Sequence, residues 1–158
     1  MPRALIAGAF GQGNPGDEAL LDAHLRVLRD VGWDAIVTSA TPATTEARHA
    51  CAAVAPRVDT VGRALLDVDA LVVGGGTLFK PLHPSSGRRA GALLARTAAL
   101  TFAAKAAGRP VALSAVGAAP LARPSHRQLA RCILRWSDLL VLRDEESATE
   151  LEAAGGRP

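Results

Sequence analysis

Short apolar runs alternate with amphipathic segments along the whole chain. Near-continuous apolar runs of this length are typical of strands that are buried on both faces of a parallel sheet. They cover residues 4–9, 35–39, 70–73, 110–116 and 139–142, and a weaker run predicts a further short strand at 57–61. Helical spacing predicts helices at 17–31, 45–54, 64–67, 90–107 and 125–136, and a last helix that ends near residues 155–156. The alternation predicts an α/β fold with a doubly wound, mainly parallel, Rossmann-like sheet.

Three local signals refine this pattern. In the first predicted helix, Leu21, Leu25 and Leu28 share one face. Ser125 is placed to cap the helix that runs to residue 136. Residues 78–89 lack any such periodicity, and we expect them to form a long polar loop. A length of 158 residues fits one domain with its own core.

The composition excludes several classes of protein. Of the residues 49% are apolar and 21% are charged, as in a soluble globular chain, and the net charge is +3. Because the arginines are scattered, we expect no nucleic-acid partner. Cys51 and Cys132 form no paired-cysteine motif, and no signal peptide precedes the first strand, so we expect reduced thiols in the cytoplasm, with peripheral attachment to the inner membrane face left open. Arg96 and Lys105 interrupt the most apolar stretch, so we expect no transmembrane segment.

A glycine-rich turn follows the first predicted strand. Its Gly11, Gly13 and Gly16 satisfy the GxGxxG pattern, which in dinucleotide-binding proteins lets a pyrophosphate approach a helix N-terminus. Two features disfavour a dinucleotide, and we therefore expect no cofactor. Residues 38–41 offer no acid for a ribose, and Asp17 and Glu18 place negative charge where the pyrophosphate would lie. These acids can instead cap the helix, or shape a sugar or donor pocket.

A second glycine loop closes the clearest strand. Gly74, Gly75 and Gly76 precede Thr77 at the carboxyl end of the run at 70–73. Consecutive glycines cost conformational entropy, so they make most sense where the backbone must come close to a ligand or to a neighbouring helix. Tight packing alone is the alternative explanation.

The remaining polar candidates are weaker. In the loop at 78–89, His83 can serve as an acid–base group and Arg88 as an anion clamp, although each can also be ordinary solvated surface. His24 and His49 fall within predicted helices, where we expect surface or partly packed side chains. The histidines show no metal-ligand spacing, and we expect no metal. Ser114 lacks the GxSxG elbow of a serine hydrolase.

Four motifs follow one another along the chain. The first is the turn at 13–20, with Asn14, Gly16, Asp17 and Glu18, and the second is an aspartate and apolar strand before triple glycine at 69–78. The third is a Gly-Arg-Pro-Val strand that leads to a loop with Gly117 and Pro120. The last is the turn of Arg143, Asp144 and Ser147. Together the four motifs, which span nearly the whole chain, resemble the polysaccharide pyruvyl transferases.

The resemblance implies a function and a site. Members transfer the enolpyruvyl unit of phosphoenolpyruvate to sugar hydroxyls, which yields a pyruvate ketal on a cell-wall or exported polysaccharide. They are similar to two-domain glycosyltransferase-B proteins, with a cleft between two Rossmann-like halves. The resemblance therefore implies that residues 1–158 are an N-terminal half without its C-terminal partner, and that a glycan or lipid-linked sugar is the acceptor. The expected wall of the cleft comprises the turn at 11–18, residues 74–77, Gly117 and the turn at 143–147. Arg143, Arg88 and His83 are its candidate catalytic groups.

The third motif departs from the family pattern. Many members have Gln-Gly-x-Gly-Pro there, whereas residues 115–120 read Ala-Val-Gly-Ala-Ala-Pro. Many also follow triple glycine with an acid, whereas this chain has Lys80 and Pro81. These departures keep two alternatives open. One is a non-catalytic half-domain that binds a sugar or nucleotide, and the other is part of a nucleotide-sugar glycosyltransferase.

Overall fold

The structure is a computed structural model that describes residues 1–155. Within this range seven parallel strands form one sheet that six α-helices accompany. The strands are β1 (Arg3–Phe10), β2 (Asp34–Ser39), β3 (Ala52–Val54), β4 (Ala70–Gly74), β5 (Thr77–Phe79), β6 (Val111–Ala118) and β7 (Leu139–Leu142). The helices are α1 (Pro15–Asp30), α2 (Pro42–His49), α3 (Val58–Leu66), α4 (Ala92–Ala106), α5 (Pro124–Arg135) and α6 (Glu145–Ala153), with a 3-10 turn at Pro84–Ser86. The last predicted helix thus ends at Ala153, and residue 156 lies outside the described residues.

The sheet has the order of a doubly wound fold. β1 lies between β2 and β4, β3 flanks β2, and β6 lies between β4 and β7. β5 continues β4 along the same side of β6, because Gly75 N donates to Ser114 O and Gly117 N donates to Gly76 O. Every pairing is parallel, so the predicted Rossmann-like α/β fold is confirmed.

The two faces of the sheet carry separate apolar cores. Leu5 of β1 packs in a cluster with residues of α3, α4, α5 and α6, whereas the next residue, Ile6, packs in a cluster with Leu21 and Leu25 of α1. Successive strand residues point to opposite faces, so neighbouring apolar residues of one strand serve different layers. This explains why the strands read as continuous apolar runs.

Four local expectations are wrong. Residues 57–61 are not a strand, because Val61, Ala64 and Leu65 turn one helical face of α3 towards the core. The second helix was expected to reach residue 54, but α2 ends at His49, where Ala50 adopts a left-handed φ of 49°. The residues that follow form the third strand, β3.

The loop predicted at 78–89 begins as β5, because the backbone at Thr77 and Phe79 pairs with the end of β6. Ser125 does not cap α5 either. That helix begins at Pro124, and its N-cap residue Arg123 makes no side-chain cap hydrogen bond. The helical face formed by Leu21, Leu25 and Leu28 is confirmed as facing the core.

The carboxyl ends of all the parallel strands meet at one edge of the sheet. The glycine turn after β1, the Gly75–Gly76 break, the loop after β5, the end of β6 and the turn after β7 therefore leave from this edge. In open α/β sheets the ligand crevice lies outside this edge. We call it the carboxyl edge below.

Candidate functional site

The turn after β1 is closed around Gly11. Its φ is +71°, and a Cβ at this position would lie only 2.1 Å from Ser39 Oγ and 2.8 Å from Thr41 Oγ1. Thr41 Oγ1 also donates to Gly11 O at 3.1 Å. Glycine is therefore required here by contact with the end of β2, and two hydroxyl residues occupy the region where a dinucleotide site would place its ribose acid.

The start of α1 links the turn to the triple glycine. Asn14 caps the helix by accepting from Gly16 N at 3.0 Å, and its Nδ2 donates to Asp17 Oδ2 at 2.8 Å. Asp17 Oδ1 in turn faces the second glycine loop, 3.7 Å from where a Cβ of Gly75 would stand and 3.8 Å from that of Gly76. The structure thus brings Asn14, Gly16 and Asp17 together with Gly75 and Gly76, and it leaves Gly13 with nothing within 4 Å of its Cβ position.

Glu18 belongs to a buried chain of polar contacts. Its Oε1 accepts from Gly11 N at 2.8 Å and its Oε2 lies 2.9 Å from His49 Nε2, while His49 Nδ1 lies 2.6 Å from Asp22 Oδ1. Burial favours the neutral acid, but the Gly11 N–H and His49 outweigh it, so the pKa of Glu18 lies below its usual value. Both oxygens of Glu18 are therefore engaged within the chain.

His49 corrects the sequence-based expectation. It was expected at the surface or partly packed, but its side chain is fully buried between α1 and α2. Nothing in the local sequence distinguishes it from a surface histidine, because its two carboxylate partners lie 27 and 31 residues earlier.

The triple glycine serves close packing and a sharp backbone turn. A Cβ on Gly74 would lie 2.8 Å from Cε1 of His24, so the imidazole lies against the bare backbone. Gly75 and Gly76 have φ of +85° and +67°, which side chains rarely adopt. Thr77 then starts β5 opposite Gly117. Packing against a neighbouring helix is thus part of the reason for these glycines.

His24 contacts Ser114 beside this loop. Its Nε2 lies 2.8 Å from Ser114 Oγ, and Ser114 lies opposite Gly74, the last residue of β4. Both side chains are partly buried, as expected for His24. Burial lowers the pKa of His24, and the Leu20 carbonyl opposes this shift in part. Sequence reasoning missed the pair, because its members are 90 residues apart.

The turn after β7 holds the end of β6. Asp144 Oδ1 accepts from Ser147 N at 2.8 Å, its Oδ2 accepts from Arg143 Nε at 2.9 Å, and the buried Ser147 Oγ accepts from Ala118 N at 2.9 Å. Bonds from Ser147 and then Arg143 lower the pKa of Asp144 to about 2. The guanidinium of Arg143 is half-exposed and lies against Gly117, whose Cβ position is 2.8 Å from Nη2. Asp144 and Ser147 therefore have structural partners, whereas Arg143 faces solvent at the carboxyl edge.

The loop after β5 also begins at this edge. His83 and Arg88 are exposed there, and His83 Nδ1 lies 2.8 Å from Ser85 Oγ. Leu82 N donates to Ala90 O, which closes the loop. Among the described contacts, none joins His83 to the glycine turns or to Arg143.

Two kinds of site are absent from the part of the chain that the structure describes. Residues 1–155 contain no cluster of three or more His, Cys, Asp and Glu side chains arranged to hold a metal ion. Among their helices none is both long and apolar enough to cross a membrane.

Comparisons with known proteins place the chain in a family. No curated protein matches it. Among solved structures, UDP-N-acetylglucosamine 4-epimerase from Bacillus cereus is similar at 12% identity and a TM-score of 0.48, over 73% of this chain and 36% of that one, so the chain spans little more than a third of that protein. The model of the family described as Polysaccharide pyruvyl transferase matches residues 14–157. Because this match covers nearly the whole sequence, the chain belongs to the polysaccharide pyruvyl transferase family.

Proposed function

We propose that the carboxyl edge is one wall of a cleft in which the enolpyruvyl unit of phosphoenolpyruvate moves to sugar hydroxyls. The product is a pyruvate ketal on a cell-wall or exported polysaccharide, assembled in the cytoplasm or at the inner face of the membrane. In this proposal residues 1–158 are the N-terminal, Rossmann-like half of a two-domain enzyme. A second half supplies the opposite wall.

One observation carries the proposal. In a chain of this family, the turn at 11–18, the Gly75–Gly76 break and Arg143 over Gly117 all lie at the carboxyl edge. Backbone without side chains and a half-exposed guanidinium suit a small anionic donor that must approach closely.

Arg143 is the donor-binding group that the geometry favours. Phosphoenolpyruvate carries a phosphate and a carboxylate, and a planar guanidinium can bind either of them through two parallel hydrogen bonds. Asp144 engages Nε, and within the described residues no hydrogen bond engages the two Nη groups. Asp144 thereby orients the guanidinium, and the Nη groups are left for the donor. Arg88 and His83 are the further candidates, since their loop leaves the same edge.

Asp17 suits the acceptor rather than the donor. Its carboxylate lies between the glycine turn and the triple glycine and is partly exposed. A carboxylate repels a phosphate bound next to it, but it accepts hydrogen bonds from sugar hydroxyls. We therefore assign the sugar to the α1 side of the cleft and the donor to the side of Arg143.

The alternative function is binding without transfer. Ala115 adopts a left-handed φ of 53° in the stretch where many family members have Gln-Gly-x-Gly-Pro. In this stretch the glutamine and one glycine of the pattern are absent. This favours a half-domain that binds a sugar or nucleotide, or part of a nucleotide-sugar glycosyltransferase.

The test measures phosphate release from phosphoenolpyruvate by the protein at its full natural length, with a panel of glycan and lipid-linked acceptors. Charged hydrogen bonds contribute about 1.5–3 kcal/mol, so we expect Arg143→Gln to raise the KM for phosphoenolpyruvate roughly tenfold to hundredfold. Arg135→Gln is the matched control, because Arg135 is exposed at the opposite edge of the sheet and should leave the KM unchanged. Absence of phosphate release with every acceptor, together with tighter binding of nucleotide-sugars than of phosphoenolpyruvate, would displace the transferase proposal.

A further inference from the structure

The His24–Ser114 contact is unusual for a helix packed on a sheet. Apolar residues would fill this space without desolvation, yet an imidazole and a hydroxyl face each other at 2.8 Å. Nδ1 of His24 is buried without a regular hydrogen-bond partner, although the Leu20 carbonyl, one turn earlier on α1, is near. Buried polar atoms without full partners are rare and often mark function.

The pair lies beside the point where β4 ends, between the middle of α1 and the middle of β6. Ser114 is level with Gly74, and Gly75 N donates to Ser114 O, so the pair lies directly beside the Gly75–Gly76 break. Asp17, which lies seven residues before His24 on α1, contacts the same break. A sugar held by Asp17 would therefore present its hydroxyls close to the pair.

The direction of this hydrogen bond depends on which ring nitrogen of His24 carries the proton. When Nδ1 carries the proton, towards the Leu20 carbonyl, Nε2 is left as an acceptor and Ser114 Oγ donates to it. Burial lowers the pKa of His24 and keeps the imidazole neutral near pH 7. A neutral imidazole that accepts from a hydroxyl can act as a general base through that hydroxyl.

We propose that His24 and Ser114 are the acid–base pair that carries a proton from the acceptor sugar to the donor. This inference rests on the proposed function and deepens it. The acceptor hydroxyl gives its proton to Ser114 Oγ as Ser114 passes its own to His24 Nε2.

The proton balance of the reaction needs no other proton source. The acceptor oxygen forms a bond to C2 of phosphoenolpyruvate, and the electron pair of the C2–C3 double bond takes up the proton at C3, which becomes a methyl group. A second sugar hydroxyl then forms its bond to C2, the C2–O bond to phosphate breaks, and the proton of that hydroxyl leaves with the phosphate. Since the first proton passes from the sugar to C3, one pair can receive and return it, and His24 ends neutral.

The first part of the test does not depend on activity. In nitrogen-15 NMR spectra of the protein at neutral pH, we expect His24 to carry its proton on Nδ1 and to have an unprotonated Nε2. We expect it to titrate below the usual value of about 6.5. A proton on Nε2 at neutral pH would make His24 the donor to Ser114 and would overturn the proposal.

The second part compares kcat, KM and pH profiles. General acid–base catalysis contributes about 10²–10⁴-fold, so we expect His24→Gln to lower kcat by that factor and to remove the acidic limb of the kcat profile. We expect Ser114→Ala to lower kcat by about tenfold or more. The KM for phosphoenolpyruvate should stay within a few-fold of the wild-type value in both. If the hydrogen bond between His24 and Ser114 were purely structural, both variants would instead lower the thermal stability and leave the pH profile of kcat unchanged.

Matched controls separate these outcomes. Arg26→Gln changes an exposed residue of α1, and Ser137→Ala removes a hydroxyl that donates to Ile133 O beyond the other edge of the sheet. Both should keep the wild-type kcat. If the wild type releases no phosphate with any acceptor, the proposed function fails and this inference fails with it. If the wild type is active and His24→Gln keeps both its kcat and its acidic limb, only this inference is overturned.

Discussion

Glu18→Ala tests whether the buried contact between Glu18 and His49 stabilises the glycine turn after β1. The side chains of Glu18 and His49 are 6% and 0% exposed, whereas that of Asp22 is 56% exposed. One histidine therefore has a buried and a solvated carboxylate partner. The two partners should differ sharply in what their removal costs.

The magnitude follows from the groups that lose a partner. Glu18→Ala leaves the Gly11 N–H and His49 Nε2 without an acceptor, and each such buried group costs about 1–3 kcal/mol. We expect a loss of roughly 2–6 kcal/mol in the free energy of unfolding, because two such groups lose their acceptor. Glu18→Gln should cost only about 1–2 kcal/mol, because its amide oxygen can still accept from Gly11 N while its NH₂ stays within reach of His49 Nε2.

Asp22→Asn provides the internal control. Because Asp22 is mostly solvated, its replacement should cost less than about 1 kcal/mol. Equilibrium unfolding in urea at pH 7 measures all three variants, and thermal melts should shift by about 2–4 °C per kcal/mol for a chain of this size. If Glu18→Ala and Asp22→Asn unfold within about 1 kcal/mol of each other, the buried contact does not stabilise the turn.

Three further predictions concern the backbone and the pH dependence. Gly11→Ala should lower the free energy of unfolding in urea by about 2–4 kcal/mol, because its Cβ would lie 2.1 Å from Ser39 Oγ. Gly13→Ala has nothing within 4 Å of its Cβ position and should cost only about 1–2 kcal/mol of backbone strain. Equal costs for the two variants would contradict the contact at Gly11. Ala115→Gly should raise the free energy of unfolding by about 0.5–1 kcal/mol, since it relieves a φ of 53°, and a loss of stability would contradict that. The pKa of Asp144 is lowered from 3.8 to about 2, so its contribution to the stability of the fold is complete above about pH 4 and is lost as pH falls to about 2. The melting temperature of Asp144→Asn should therefore depend less on pH in that window than that of the wild type. An equal dependence in both proteins would refute this reasoning.

The fold was predictable because the burial of its strands is visible in the sequence as runs of apolar residues. Each of the five short apolar runs named above became a strand, since a strand with helices on both sides needs apolar side chains at successive positions. Short elements were harder. β3 and β5 have three residues each, and their backbone pairing with β2 and β6 creates them rather than any local periodicity. The strand predicted at residues 57–61 was wrong, because a few apolar residues fit the period of a strand as well as that of a helix.

The candidate site was predictable in part. The glycine turns are visible in sequence because glycine is needed wherever φ is positive or another segment lies against the backbone. Their neighbours are not visible. Asp17 against Gly75, His24 against Gly74 and Arg143 against Gly117 are contacts between distant segments. The roles of these residues in transfer stay predictions for the variants above.

The sequence by itself determined the α/β class, the positions of the long strands along the chain, and the glycine and Arg-Asp-x-x-Ser motifs of a polysaccharide pyruvyl transferase. These are local properties, set by the period of apolar residues and by the backbone freedom of glycine. Only the tertiary structure decided which polar side chains are engaged within the chain and which face the edge. It buried Glu18 with His49, paired His24 with Ser114 and left Arg143 half-exposed. The physical reason is that burial and hydrogen-bond partners are created when parallel strands bring their carboxyl ends to one edge.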